Sequence, residues 1–260
     1  MQQQTNDMRL EKMELSNFFQ FKEKQGIGFS KDNRITIIQG ENGSGKTTLF
    51  KAMRAGLGLE KQDEEDGQPQ LKCNFDPAVI NNENEFLFFQ DGERLRHIQG
   101  IDFSKFENNL EIIKEVEVLL LKHVDIEAFR KVTIHTGKLV ISDEHGRVRM
   151  GLAMNDQFIL SMCVLIALRK TLFPNSFLVI DAPFHNISQE LKQSVCKLLL
   201  ENVSQLILLV SDTEYECRML KDEFGEVTDS ARDMINNLNP AVSEYRLVTN
   251  ENKTKIEKRL

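Results

Sequence analysis

Apolar residues fall along this chain in three patterns. Apolar runs appear at RITIIQ (34–39), which is β-branched and predicts an inner strand, at FLVID (177–181), which predicts a buried strand, and at SQLILLVS (204–211), which predicts another strand. A helical period appears in LEIIKEVEVLLLKHV, where Leu110, Ile113, Val116, Leu119, Leu120 and Val124 share one face, so 102–130 reads as mostly helical. FILSMCVLIAL (158–168) lies inside a predicted long helix from about 155 to 172. ISQELKQSVCKLLLENV and DTEYECRMLKDEF predict two further helices. Elsewhere apolar and polar positions mix over short runs. MRLEKMELSNFFQF (8–21) reads as a strand and its exit, a second short strand follows near Gly26, and EFLFFQ (85–90) is another. KVTIHTGKLVISDEHGRVRM reads as strands joined by turns, one of them at EHG.

Strands and helices alternate toward the end of the chain. That order predicts an α/β fold with a mainly parallel sheet. Two stretches break the pattern. Residues 58–84 are acidic and interrupted by Gly, Pro and Asn, and are expected to be a surface excursion. The lysine-rich end KTKIEKRL is expected to fray.

The junction after the first inner strand carries the chemistry. GENGSGKT (40–47) fits G-x-x-x-x-G-K-[ST] in full, with a buried strand before it and the helix TTLFKAMRAGL after it. Small residues at Gly43, Ser44 and Gly45 let successive backbone N–H groups face phosphate oxygens, and the helix N-terminus adds positive potential. Lys46 supplies a charge to the β and γ phosphates, Thr47 a hydroxyl for Mg²⁺, and Thr48 a further hydroxyl to the cradle. Asp181, at the end of FLVID, is placed to hold the hydration shell of that Mg²⁺ and to bond Thr47. The expected ligands are therefore a nucleotide, bound through its β and γ phosphates, and Mg²⁺.

NFFQF, ITIIQGENGSGKTTLFKAMRAGL and FLFFQDGERL resemble the N-terminal lobe of the SMC-like branch of ABC ATPases. FLVIDAPF followed by QLILLVSDTEYE looks most like the DndD group, ATPases linked to DNA phosphorothioation and its restriction. The resemblance covers most of residues 8–220. It implies a P-loop NTPase fold: one ABC-type ATPase head over 1–260, with a mixed N-terminal β lobe and a helical insertion. Two heads would sandwich two ATP molecules, as a homodimer or a heteromer. Asn42 to Thr48 would hold phosphates, and Gln90 would reach the Mg²⁺ and the water near the γ-phosphate. A strand-end position for Gln90 agrees with that role.

The chain departs from the family pattern in three places. The signature segment, usually LSGGQ or LSxGE, reads GLAMNDQFIL (151–160). What remains is Asn155, an N-cap candidate for the long helix, whose N-terminus either faces an anion or simply caps a core helix. Ala182 stands after Asp181 where the family carries a water-orienting glutamate, and a methyl group accepts no proton. Gln90, Glu93 and His185 are the alternatives for that task. Finally, residues 94–130 replace the long coiled-coil arms with a short helical insertion, without sustained heptads.

Charge and cysteine content narrow the partners. A net charge of −7 argues against a uniformly basic nucleic-acid binder, although Lys51, Arg54, Arg130, Lys131, Lys138, Arg147, Arg149 and the stretch Lys253–Arg259 make local patches. DNA remains a partner through such patches, and the resemblance favours a DNA-processing or phage-defence complex. None of the four cysteines forms C-x-x-C, so no zinc or redox motif is expected, and their usage fits a reducing cytoplasm. No apolar run reaches the length of a membrane span. Two functional classes follow: an ATPase working by ATP-dependent head engagement, or a nucleotide-sensing scaffold with little turnover. A transporter subunit is a third, against which the glutamine segment and the altered signature count.

Overall fold

In the computed structural model, residues 8–59, 70–76, 87–90, 110–123, 131–135, 138–148, 154–184, 187–216, 230–238, 241–250 and 253–259 are described. They fall into two compact units. The first comprises Met1–Asp91, Asn175–His185 and Val203–Leu260, and the second Gly92–Pro174 and Asn186–Asn202.

The first unit holds two sheets. The strand β3 (Ile35–Gly40) is buried at every position, as are β8 (Phe177–Asp181) and β9 (Gln205–Val210). Strands packed on both faces must be apolar throughout, which is why these three were readable as unbroken runs. With β5 (Phe88–Gln90), β10 (Val242–Asn250) and β11 (Lys253–Arg259) they form a six-stranded sheet in the order β11-β10-β3-β9-β8-β5. All its pairings are parallel except β10 with β11. Helix α1 (Lys46–Gly56) follows β3 and buries Leu49, Phe50, Ala52 and Met53.

The second sheet is antiparallel, β2 (Gln25–Gly28), β1 (Arg9–Ser16) and β4 (Gln70–Asp76) in the order β2-β1-β4. In β1 Leu10, Met13 and Leu15 are buried while Lys12 is exposed, the half-covered pattern of an antiparallel strand. Gln205 joins the two sheets. Its buried amide donates to the Leu10 carbonyl at 2.8 Å and accepts the Leu10 N–H at 3.0 Å.

The second unit contains α2 (Leu110–His123), the hairpin of β6 (Lys131–His135) and β7 (Lys138–Ser142), α3 (Met154–Leu172) and α4 (Gln189–Asn202). Phe158 to Leu168 of α3 are buried, which makes it a core helix rather than a membrane span. Arg169, fully buried in α3, donates to the carbonyls of Phe173 and Asn202. Lys170 pairs with Glu115 of α2, and Lys122 of α2 with Glu201 of α4 at 2.6 Å. Among the described residues no helix is long and apolar enough to cross a membrane.

Three expectations change. Within 58–84, residues 70–76 are not loop but β4, hydrogen-bonded along β1; 60–69 and 77–84 lie outside the described residues. The pattern QLKCNFD carries few apolar residues because β4 is an edge strand, so its pairing is visible only in three dimensions. The C-terminal stretch does not fray: β11 pairs with β10 from Lys253 to Arg259. The helix expected over 212–224 is seen only as the short α5 (Asp212–Tyr215), and α6 (Ala231–Leu238) follows; 217–229 lie outside the described residues. Of the 94–130 insertion, α2 is described, and the remainder lies outside the described residues.

Candidate nucleotide site

The phosphate loop leaves β3 at Gly40, at the carboxyl edge of the sheet, and enters α1 at Lys46. Gly43 and Gly45 have φ of +83° and +99°, the left-handed region where a side chain is costly. At Gly45 a side chain would also displace a neighbour: a Cβ would lie 2.3 Å from Gln20 Nε2 and 3.0 Å from the ring of Phe21. Gly45 is the N-cap of α1. No side chain caps the helix and no acidic residue lies in its first turn, so its N–H groups are left to an anion.

Lys46 closes the loop. Its Nζ donates to the carbonyls of Gly40 at 2.8 Å and Glu41 at 2.9 Å. Partial burial pulls its pKa below the ordinary lysine value, and the carboxylates of Asp181, Glu214 and Asp212 oppose that shift. The ammonium thus feels the field of three acids and is tethered to two neutral acceptors, which phosphate oxygens can replace. Ser44 Oγ is buried with no hydrogen-bond partner. Thr48 donates to Gln20 Oε1 at 3.2 Å. Asn42 and Gly43 are exposed at the tip, where they line an open cavity of about 600 Å³ with Arg246, Val248 and Asn250.

Asp181, 4% exposed, meets the loop from the end of β8. Its Oδ2 accepts the Thr47 hydroxyl at 2.8 Å and, at 3.4 Å, the side-chain N–H of Gln90. Gln90 pairs with Asp181 directly across β5 and β8, so strand register brings together residues 91 apart in sequence. The oxygens fit Mg²⁺. A threonine hydroxyl and a carboxylate, held together by their own hydrogen bond, are hard oxygen donors of the kind Mg²⁺ and its water shell take. Among the described residues there is no group of three His, Cys, Asp or Glu that could cage a metal. Mg²⁺ bound beside nucleotide phosphates needs no such cage, because phosphates and water complete its shell.

The chain turns sharply after Asp181. Ala182 has φ +58° and donates its N–H to Leu209 O at 3.0 Å. Glu214 holds this turn. One oxygen accepts the Phe184 N–H at 2.6 Å and the other the Ser211 N–H at 3.2 Å, while Ser211 caps α5 in a reciprocal capping box. Asp212 is bound by Arg246 at 2.9 Å. No carboxylate hangs from position 182. Glu93 and His185 lie outside the described residues.

Lys46, Thr47, Thr48, Gln90 and Asp181 are therefore gathered at one edge of one sheet. Asn155 belongs to the second unit. Helix α3 begins at Met154, so Asn155 lies in its first turn rather than before it; the apolar period, which starts at Phe158, does not fix a helix start to one residue. Of the basic patches, Arg147 is paired with Asp143 at 2.8 Å, and Arg54 lies over the rings of Phe50 and Phe88. Sequence reasoning missed Gln20 over the loop and Glu214 beneath the Ala182 turn. Both act from far along the chain; SDTE (211–214) marks Glu214 as a capping-box residue, but nothing local marks either residue's contact with the site.

A family model described as an AAA domain matches residues 12–260. Solved structures match over nearly the whole chain. The SMC head domain from Thermotoga maritima has a TM-score of 0.57 at 15% identity, covering 97% of this chain and 99% of that one. An Smc head bound to the C-terminal winged-helix domain of ScpA gives 0.66 at 14%, covering 96% and 98%. The Smc head with an extended coiled coil bound to the C-terminal domain of ScpA, from Pyrococcus furiosus, gives 0.59 at 13%, covering 97% and 96%. No curated protein sequence matches the chain. The chain belongs to this AAA-domain family, and it has the P-loop ATPase fold of SMC heads.

Proposed function

We propose that the chain binds ATP with Mg²⁺, hydrolyses it slowly, and works by ATP-dependent engagement of two heads. One observation carries the reading: the Thr47 hydroxyl lies 2.8 Å from the buried Asp181 carboxylate, beside a complete phosphate loop with a half-buried lysine. Backbone N–H groups of the loop and of the α1 N-terminus would cradle the β and γ phosphates. Lys46 would exchange its two carbonyl acceptors for phosphate oxygens. Thr47 and Asp181 would hold the metal and its water shell, with Gln90 turning its carbonyl toward them. Mg²⁺ there would neutralise charge on the transferred phosphoryl group. Asn155, in the first turn of α3, would meet the nucleotide of an opposing head.

The finer reading is a DndD-like subunit of a DNA-processing or phage-defence complex, supported by FLVIDAPF and QLILLVSDTEYE. Protein partners fit this reading, since two of the similar Smc heads were solved with a ScpA domain bound. DNA would be a weaker partner for this acidic chain.

Ala182 favours a second reading, a nucleotide-sensing scaffold that holds ATP without turning it over. Turnover by the purified protein with Mg²⁺, with and without duplex DNA, separates the two. Steady release of phosphate that disappears in Lys46→Ala and Asp181→Ala identifies an ATPase. Tight binding without release identifies the scaffold, and no ATP binding overturns both.

A further inference from the structure

Thr254 lies in a stretch of four lysines and arginines, KTKIEKR, yet it is 1% exposed. Every polar atom it owns is engaged. Its hydroxyl donates to the Ser44 carbonyl of the phosphate loop at 3.2 Å. A hydroxyl has one proton, so the 3.0 Å contact with Thr249 Oγ1 must be one in which Thr249 donates. Its backbone N–H donates to the Gln20 carbonyl at 3.0 Å, and its own carbonyl accepts from Gln25 Nε2 at 2.6 Å. One residue of β11 thus grips the phosphate loop on one side and the segment after β1 on the other.

The bond to Ser44 has a directional consequence. A trans peptide is planar, and its C=O and N–H point opposite ways. Fixing the Ser44 carbonyl toward Thr254 therefore turns the Gly45 N–H away from β11. Gly45 is the left-handed residue that caps α1, where freedom of the peptide plane is greatest and where an anion needs a fixed donor. Gln20, held through its carbonyl by the same threonine, fills the space above Gly45 and accepts from Thr48. A second tie comes from the far end of β11, where Arg259 donates to Gln39 Oε1 at 2.9 Å, one residue before the loop begins.

We propose that Thr254 is a positioning residue for the nucleotide site: through its hydroxyl it sets the peptide plane between Ser44 and Gly45, and it couples the β10–β11 hairpin to occupancy of the site by a nucleoside triphosphate. The role rests on the ATP-binding reading above.

The test is the dissociation constant of a fluorescent ATP analogue with Mg²⁺ for the wild type, Thr254→Val and Thr254→Ser, beside thermal unfolding without nucleotide. Valine keeps the shape and removes the donor; serine keeps the donor. The expected result is affinity about fivefold weaker in Thr254→Val, the size of one lost net hydrogen bond, with Thr254→Ser restoring it to within about twofold. A merely structural threonine would lower the unfolding temperature of Thr254→Val and leave the affinity of the folded protein unchanged, and that result overturns the role. Coupling is reciprocal, so ATP must also slow hydrogen exchange in 253–259 of the wild type, a measurement that does not require the valine variant to fold. A hairpin that exchanges equally fast with and without bound ATP overturns the role as well. A wild type that binds no ATP overturns the nucleotide reading and this role together, whereas a wild type that binds beside an indifferent Thr254→Val overturns the role alone.

Discussion

Two strand ends on the same edge of one sheet, separated by β9, differ in kind. At the end of β3 the site consists of backbone: two left-handed glycines, a bare helix N-terminus, and one lysine tethered to two carbonyls. At the end of β8 it consists of side chains, and there Asp181 is engaged while Ala182 presents a methyl group. Holding phosphates needs fixed dipoles and a charge, which the first end supplies in full. Orienting a water needs a particular carboxylate or amide at a particular place, and the second end supplies only part of that. Nucleotide binding and nucleotide hydrolysis are thus separable demands on two strands of one sheet, and this chain satisfies the first more completely.

The strongest way to break that comparison is at Lys46. Its removal deletes a charge-assisted contact, and Lys46→Ala is expected to weaken ATP binding by about a hundredfold, measured by equilibrium titration. Binding that survived would mean that the backbone cradle suffices. Next comes Ala182→Glu. A carboxylate placed beside Asp181 is expected to raise the rate of phosphate release about tenfold, less than the ~10²–10⁴-fold of a fully positioned base. Alanine already bears the cost of φ +58°, so the substitution should leave thermal stability nearly unchanged. An unaltered rate would show that another group already orients the water.

A smaller effect is pH-dependent. Burial holds the Lys46 pKa below its ordinary value, so ATP affinity is expected to fall at a lower alkaline pH than an exposed lysine would give. The sign for stability is opposite. Between the lowered folded-state pKa and the ordinary value, the unfolded chain binds the extra proton, so the contribution of Lys46 to the stability of the free protein improves as pH rises through that window. Titration of affinity and unfolding in parallel from pH 7 upward checks both signs. The smallest expected effect is Ala182→Gly. Relief of the left-handed strain, offset by the greater freedom of the unfolded glycine, should stabilise by about 0.5 kcal/mol, a rise of ~1–2 °C in Tm.

The buried strands β3, β8 and β9, the loop between β3 and α1, and the hairpin turn at Asp143–Gly146 were legible because each depends on local pattern. Strands β4, β10 and β11 were not. QLKCNFD and KTKIEKR become strands by pairing with β1 and β10, and polar edge strands give no apolar signal. Gln20, Glu214 and Thr254 escaped for a related reason, since each serves the site through a partner distant in sequence.

By itself the sequence determined the chemistry that local geometry can encode: a glycine-rich turn, a lysine, two threonines and a strand-terminal aspartate, each adjacent to the element that orients it. Only the tertiary structure decided which residues stand opposite one another. The register that sets Gln90 beside Asp181, the acid that braces the Ala182 turn, and the C-terminal strand that grips the loop at Ser44 depend on pairings across tens to hundreds of residues. Those pairings follow from how the sheets close around a shared apolar interior, and no window along the chain contains that information.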